Sequence, residues 1–422
     1  MKFLEKLVDD LEPKFSGNKF AHTVFDGFKT FLFTPKTVTS GGGVHIRDGI
    51  DLKRTMVTVV LALQLCLLWG MYNVGHQHYF ALGLYKGLSD AIFTKFFYGF
   101  FQILPIIIVA HVVGLGIEFF YAARKGHGIE EGFLVTGMLI PLIMPPAIPL
   151  WMVALATAFS VIIAKEAFGG TGMNIFNVAL TARVFIFFAY PTDISGDVVW
   201  VSYGYNWLHQ LFGMEHQTLA ALNLQALPDA FHTWKDYVWA HQVDGWTGAT
   251  PLGLAAKAGW SGVLAHYSVS DMFWGAIPGS VGEMCKPAII LGAIILVITG
   301  IGSWRIMLTM ILGALFMGFL LNTFGMSDFA KLPFYYHLIM GSFLFAMAFM
   351  ATDPVTAAQT STGKLIYGFM IGIIGMIVRV INPAYPEGWM LAILFMNMFA
   401  PTIDYFVYQA NIKRRLARAN QQ

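Results

Sequence analysis

The hydroxyl of Thr250 follows a small and flexible Gly248-Ala249 pair, within a long polar stretch of an otherwise apolar chain. Small neighbours leave room for a bulky covalent group on that oxygen. Thr250 also precedes Pro251, an order that is typical of a helix N-cap with proline at the first helical position. Thr250 is therefore a candidate attachment site, with helix capping as the alternative.

Four carboxylates interrupt apolar runs: Glu118, Glu166, Asp353 and Asp404. An ionised group in lipid costs about 2.5 kcal/mol or more, so these residues are candidates for ion handling. Carboxylate and freed carbonyl oxygens are the hard ligands that a small alkali cation prefers. Glu166 adjoins Lys165 and is interpreted as an interfacial charge, which leaves Asp353 and Glu118 as the stronger candidates. For Asp353, a helix-terminal cap before Pro354 is the alternative.

A glycine turn from Gly169 to Gly172 stands directly before Asn174 and Asn177. Backbone N–H groups at a helix start, together with two asparagine amides, suit a neutral heteroaromatic ring that carries carbonyl and imide groups. Helix capping is the alternative, and no strand-turn-helix unit is present for a dinucleotide site. Gly114 is interpreted as a small residue that permits close helix contact.

The composition places the chain in a membrane. Of the 422 residues, 57% are hydrophobic and 12% charged, against about 25% charged in soluble domains. The chain is predicted to be an all-α polytopic membrane protein. A net charge of +2 without a basic stripe excludes a nucleic-acid partner. The two cysteines, Cys66 and Cys285, offer neither a metal-ligand spacing nor a disulfide framework.

Ten apolar runs are predicted to be transmembrane helices. They begin near Thr55, Phe97, Phe133, Leu150 and Asn174, and again near Pro287, Ile306, Tyr336, Leu365 and Trp389. Basic residues beside the first, second and last runs predict that both termini are cytoplasmic. Five helices then place the loop between the two sets, and Thr250 with it, on the opposite face.

Proline and glycine break segments in both halves, around Pro141 to Pro149, Gly169 to Gly172, Asp353-Pro354 and Asn382 to Gly388. Paired breaks predict two five-helix inverted repeats whose broken helices meet near the membrane middle. The predicted regions are a cytoplasmic N-terminal region (1–54), the first repeat (55–190), a noncytoplasmic loop (191–284), the second repeat (285–410) and a cytoplasmic basic tail (411–422).

Several motifs are shared with one family over nearly the whole chain. They lie at residues 45–48, 51–54, 69–73, 169–177, 187–191, 194–197, 244–250, 278–280, 351–356, 382–388 and 411–418. With these motifs the chain resembles the NqrB/RnfD family, whose NqrB members are membrane subunits of sodium-translocating NADH:quinone oxidoreductases. Residues 205–240 depart from the family and resemble an insertion.

The resemblance implies that Thr250 carries FMN through a phosphoester bond. In the family an exported flavin transferase reads a pattern that this chain fills with Asp244, Thr247, Gly248 and Ala249. Thr247 stands where serine is frequent, and this change preserves the hydroxyl. The predicted noncytoplasmic face of the loop agrees with an exported transferase.

The resemblance also implies that Asn174 and Asn177 contact a noncovalent riboflavin, and it places Gly114 in a region associated with quinone. Three acids are implied to take part in sodium uptake: Glu118, Asp353 and Asp404.

The implied function is that of a membrane subunit in a six-subunit, redox-driven sodium pump of the bacterial cytoplasmic (inner) membrane. Electrons would pass through FMN and riboflavin to quinone while sodium crosses the lipid bilayer. Because the chain lacks a nucleotide-binding domain and cluster cysteines, other subunits would oxidise NADH. The alternatives are an RnfD-like subunit of a ferredoxin:NAD oxidoreductase pump and a flavin-free secondary ion transporter.

Overall fold

The computed structural model describes residues 52–125, 132–194, 200–202, 250–325, 327, 329–382 and 388–420, with single positions and short runs between residues 8 and 33. Regular structure in these ranges is helical. Six of the described helices are long and apolar enough to cross a bilayer: Arg54–Ala81, Ile92–Lys125, Leu150–Phe168, Trp304–Phe324, Ser361–Ile381 and Trp389–Ala419. The predicted all-α polytopic membrane fold is confirmed.

Shorter apolar segments lie between these helices. They are Phe133–Ile143, Val178–Ala189 and Lys286–Ile298, and the α-helical turn Phe343–Phe345 that continues as the π-helical turn Ala346–Met350. Together with the long helices they correspond to the ten predicted runs, five on each side of the central loop. The eighth run was predicted to begin near Tyr336 but begins at Phe343, because a 3-10 turn over Phe334–Leu338 precedes it.

The breaks predicted in the first half are present. The helix Phe133–Ile143 ends before Pro145, and the chain becomes helical again only at Leu150. The helix that starts there passes through a π-helical turn, Val161–Lys165, and ends at Gly169. Proline removes an N–H donor and clashes with the preceding turn, which explains the first break.

The second half has the same order of elements. After the π-helical turn ends at Met350, a non-helical stretch leads to Thr360, whose hydroxyl caps the helix Ser361–Ile381 by accepting a hydrogen bond from Gly363 N at 3.0 Å. In each half the second and fourth helices pack against each other. This shared order is compatible with two repeats, and their inverted relation stays a prediction.

Two non-helical stretches meet inside the helical bundle. Val281 N donates to Met144 O at 3.3 Å, and Gly282 N donates to Leu142 O at 2.7 Å. Both glycine and valine here are buried. Backbone groups at membrane depth must be paired within the protein, so this contact permits the chain to leave the helical conformation there.

The predicted region boundaries are described only in part. The last helix, Trp389–Ala419, continues through the predicted basic tail, which is exposed. Most of the predicted N-terminal region and all of residues 205–240 lie outside the described residues.

Candidate functional site

A cavity with an empty volume of about 780 Å³ lies where the breaks of the two halves come together. We call it the Asp353 cavity. It is lined by the start of the first helix, the helix Phe133–Ile143, the glycine turn and the stretch after Phe349. Its lining includes three residues that the sequence singled out: Asn174, Asn177 and Asp353.

The Asp353 carboxylate is half-buried and is held from two sides. Val355 N donates to its Oδ1 at 3.0 Å and Thr356 Oγ1 donates to its Oδ2 at 3.1 Å, which is the local capping role considered as the alternative. From the first half of the chain, Asn177 Nδ2 donates to Oδ2 at 3.2 Å. Asp353 therefore joins the two halves and presents carboxylate oxygen to the cavity.

The two asparagines have different local tasks. Asn177 caps the helix Val178–Ala189, because its Oδ1 accepts a hydrogen bond from Leu180 N at 3.1 Å. Asn174 Nδ2 donates to Phe176 O at 3.1 Å. The capping role considered for this segment is confirmed for Asn177, and both amides also line the cavity.

The turn before these asparagines depends on glycine. Gly169, Gly170 and Gly172 have φ of 121°, 104° and 88°, in the left-handed region that other residues rarely adopt. Next to them, the Oγ1 of Thr171 is buried and, among the described residues, has no hydrogen-bond partner. Thr171 lines the cavity. A buried hydroxyl that faces a cavity without a partner is the kind of group that a bound ligand satisfies.

Glu118 is buried and forms an ion pair with Lys165, which lies in the π-helical turn and also lines the cavity. The neighbouring Glu166 is paired with Lys125, with Nζ and Oε2 3.0 Å apart. Two ion pairs thus connect the second helix to the fourth. The sequence predicted Glu118 as a cation ligand but missed Lys165, although a lysine in an apolar run carries the same signal as an acid.

Asp404 lies outside the Asp353 cavity lining and holds a helix start. Its carboxylate accepts hydrogen bonds from Gln359 N at 2.6 Å, from Thr360 N at 3.0 Å and from Thr360 Oγ1 at 2.5 Å. It therefore positions the end of the non-helical stretch that begins at Asp353. A part in sodium uptake stays a prediction for Asp404.

Gly114 packs directly against the ring of Phe133, and a Cβ at this position would overlap the ring. The predicted role as a small residue for close helix contact is confirmed. The same ring lies 5.9 Å from Lys165 Nζ, so Gly114 supports the edge of the Glu118–Lys165 pair. The association of Gly114 with quinone stays a prediction.

Gly114→Ala is expected to lower the free energy of unfolding by about 1–3 kcal/mol, because the Phe133 ring must move out of a filled space. Denaturant unfolding of the purified protein in detergent measures the change. Gly116→Ala is the matched control, since a Cβ at Gly116 on the same helix meets open space. An equal loss in both variants would show that the contact with Phe133 is unimportant.

Thr250 caps the helix Pro251–Leu264 in the described structure, as the alternative interpretation expected. Its Oγ1 accepts a hydrogen bond from Gly253 N at 3.1 Å, and the residue is 5% exposed. A transferase can reach this oxygen only before the helix start packs or when it opens locally. The other residues of the predicted attachment pattern lie outside the described residues: Asp244, Thr247, Gly248 and Ala249.

Buried cations are the group that the sequence analysis passed over. Lys95, Lys286, Arg183 and Arg379 are each no more than 2% exposed. Lys286 Nζ donates to Gly341 O at 3.1 Å, and Arg379 Nη1 donates to His337 O at 2.8 Å. These two cations satisfy carbonyls just before the short helix that starts at Phe343, and so they position the stretch that ends at Asp353.

The chain is similar to proteins of one family over nearly its whole length. The profile of the NQR2, RnfD, RnfE family matches residues 39–413. The NqrB subunit of the Na(+)-translocating NADH-quinone reductase of Chromohalobacter salexigens is 42% identical over 437 residues, with 98% of this chain and 96% of the relative covered. The protein of the same name from Ectopseudomonas mendocina is 41% identical over 440 residues, covering 99% and 98%. That from Klebsiella pneumoniae is 39% identical over 450 residues, covering 98% and 99%.

Proposed function

Because this chain belongs to the NQR2, RnfD, RnfE family, we propose that it is the NqrB membrane subunit of a Na(+)-translocating NADH-quinone reductase. In this role it passes electrons through flavins to quinone while sodium crosses the membrane. It works with the other subunits of the complex, in the bacterial cytoplasmic membrane with both termini on the cytoplasmic side.

The observation that supports this proposal best is the content of the Asp353 cavity. Two asparagine amides, an unpartnered threonine hydroxyl and a carboxylate line one space. The amides and the hydroxyl of Thr171 provide donors and acceptors for a neutral heteroaromatic ring. These residues fit a riboflavin held by Asn174 and Asn177, and a bound flavin would supply electron transfer there.

Thr250 is proposed to hold the second flavin, FMN, through a phosphoester bond on Oγ1 that a flavin transferase makes. A covalent tether keeps the group at the start of the helix Pro251–Leu264 during turnover. The helix start favours a phosphate group, because its free N–H groups and dipole attract negative charge. Quinone is proposed to bind on the side of Gly114.

Sodium uptake is proposed to use the carboxylates of Glu118, Asp353 and Asp404. Asp353 faces the same cavity as the asparagines. A change in the negative charge held in that cavity changes the cation affinity of a carboxylate beside it. Binding of an electron and binding of a sodium ion in one cavity are therefore coupled, and each favours the other.

Thr171→Val is expected to lower the noncovalent flavin bound per mole of purified protein several-fold. The change preserves side-chain shape and removes only the hydroxyl. Without a ligand, loss of an unpartnered buried hydroxyl is neutral or stabilising, so a loss of flavin reports on the cavity. Extraction of noncovalent flavin by denaturation, followed by chromatography, gives the amount.

Thr157→Val is the control for this test. Thr157 Oγ1 is likewise buried with no partner in the described structure, but Thr157 does not line the Asp353 cavity. It should bind flavin as the unaltered protein does. Full flavin content in Thr171→Val would place the noncovalent flavin elsewhere.

A further inference from the structure

Lys165 occupies an unusual place among the charged residues of the bundle. Its side chain is 5% exposed and forms an ion pair with Glu118, whose side chain is 6% exposed. It also lines the cavity into which Asp353 faces. Among the described residues that line this cavity, Lys165 and Asp353 are the charged ones. One ammonium group thus stands between two carboxylates.

The charges of this group can be counted. Glu118 and Asp353 carry one negative charge each and Lys165 carries one positive charge, which leaves a net charge of −1. A net charge of −1 in a poorly hydrated space attracts one monovalent cation. Without Lys165, the same space would hold two uncompensated negative charges.

The local structure allows the lysine to act on the cavity. Lys165 ends a π-helical turn, and such turns are frequent at functional positions. Its Nζ lies 5.9 Å from the centroid of the Phe133 ring, a distance at which a ring face still attracts a cation. The flexible four-carbon stem of lysine permits the ammonium group to move between neighbouring acceptors.

The adjacent ion pair is different in every one of these respects. Lys125 pairs with Glu166 at 3.0 Å, and its side chain is 35% exposed. Neither residue lines the Asp353 cavity. The two lysines are therefore a natural comparison: each pairs with a buried glutamate between the same two helices, but only one of them faces the cavity.

We propose that Lys165 is a tethered cation that competes with sodium, so that the Asp353 cavity holds a single Na⁺ and releases it readily. The proposal rests on the sodium function inferred above and specifies how its site is regulated. An ion that is to be transported must bind well enough to enter and weakly enough to leave. A fixed positive charge beside the site provides the second condition.

The test is calorimetric titration of NaCl into the purified complex, with ionic strength kept constant by choline chloride. Lys165→Met should lower the Kd for Na⁺ on the order of tenfold, the size expected when a nearby unit charge is removed. Glu118→Gln should raise the Kd by a similar factor, because the ammonium group then acts on the cavity alone. Lys125→Met should leave the Kd unchanged.

The double variant Glu118→Gln/Lys165→Met separates charge from structure. It removes one charge of each sign, keeps the net charge at −1, and is expected to return the Kd close to that of the unaltered complex. A purely structural ion pair predicts the opposite, since the double variant would then be no better than Glu118→Gln. This variant leaves neither residue as an isolated buried charge, so it also tests the proposal if a single variant does not fold.

Two results would overturn the inference: an unchanged or higher Kd in folded Lys165→Met, or a double variant that binds Na⁺ no better than Glu118→Gln. Failure of the proposed sodium function looks different, because the unaltered complex itself would then show no saturable Na⁺ binding. Noncovalent flavin content, measured in the same samples, reports whether the cavity is intact.

Discussion

Thr250→Ala is expected to abolish the flavin fluorescence that stays with the denatured subunit after electrophoresis, when the chain is expressed together with the flavin transferase. A phosphoester needs the hydroxyl oxygen, and alanine offers none. In the folded protein the same oxygen accepts a hydrogen bond from Gly253 N at 3.1 Å. Alanine therefore also costs about 1 kcal/mol of helix capping.

Thr250→Asn separates attachment from capping. Asparagine is among the preferred N-cap residues, so the helix Pro251–Leu264 keeps its cap, but it has no hydroxyl to esterify. Fluorescence should be lost in this variant without loss of stability. Thr250→Ser retains both functions and should remain fluorescent, at a level that the transferase determines.

Absence of fluorescence in the unaltered subunit would contradict the proposed attachment. Thr250 would then be a helix cap alone, and a flavin-free ion transporter would become the better interpretation of the buried carboxylates. Fluorescence retained in Thr250→Asn would instead move the attachment to another hydroxyl.

Asp353→Asn is expected to raise the sodium concentration for half-maximal turnover of the complex by about tenfold to a hundredfold. The change removes the charge but nearly preserves the shape. Contacts to a charged group contribute about 1.5–3 kcal/mol, which corresponds to this range. The covalent flavin should be unaffected, because Thr250 lies on another segment.

The sodium dependence of NADH-driven quinone reduction gives the measurement, and flavin content in the same preparation is the control for folding. Asp271→Asn is the matched variant, since Asp271 also accepts a backbone hydrogen bond, from Ser268 N at 3.2 Å, but caps the separate helix Val269–Trp274. It should leave the sodium dependence unchanged. Equal losses of flavin and sodium dependence in Asp353→Asn would indicate a folding defect.

Local physical chemistry explains which features could be predicted. A helix that crosses lipid needs an apolar run, and proline and glycine interrupt it wherever they stand in the chain. The ten helical segments, the break before Leu150 and the turn at Gly169 were therefore predictable. Capping by Thr250 was equally local, since the cap bonds a residue three positions later.

Partners that are distant in the sequence could not be predicted in this way. Asn177 and Asp353 are 176 positions apart and share a hydrogen bond, whereas Asn177 alone resembles an ordinary helix cap. Glu118 was recognised as a costly charge, but its partner Lys165 was assigned to an interface. The period of an apolar helix does not specify which polar residue on another helix it will meet.

The sequence by itself determined that the chain is a helical membrane protein, where its helices are interrupted, and which family its motifs resemble. These properties depend on residues that are neighbours in the chain. Only the tertiary structure decided that Asn174, Asn177 and Asp353 line one cavity with Lys165, and that Asp404 instead holds the start of another helix. Such groupings arise when helices pack, because burial requires each polar group to find a partner across the interface.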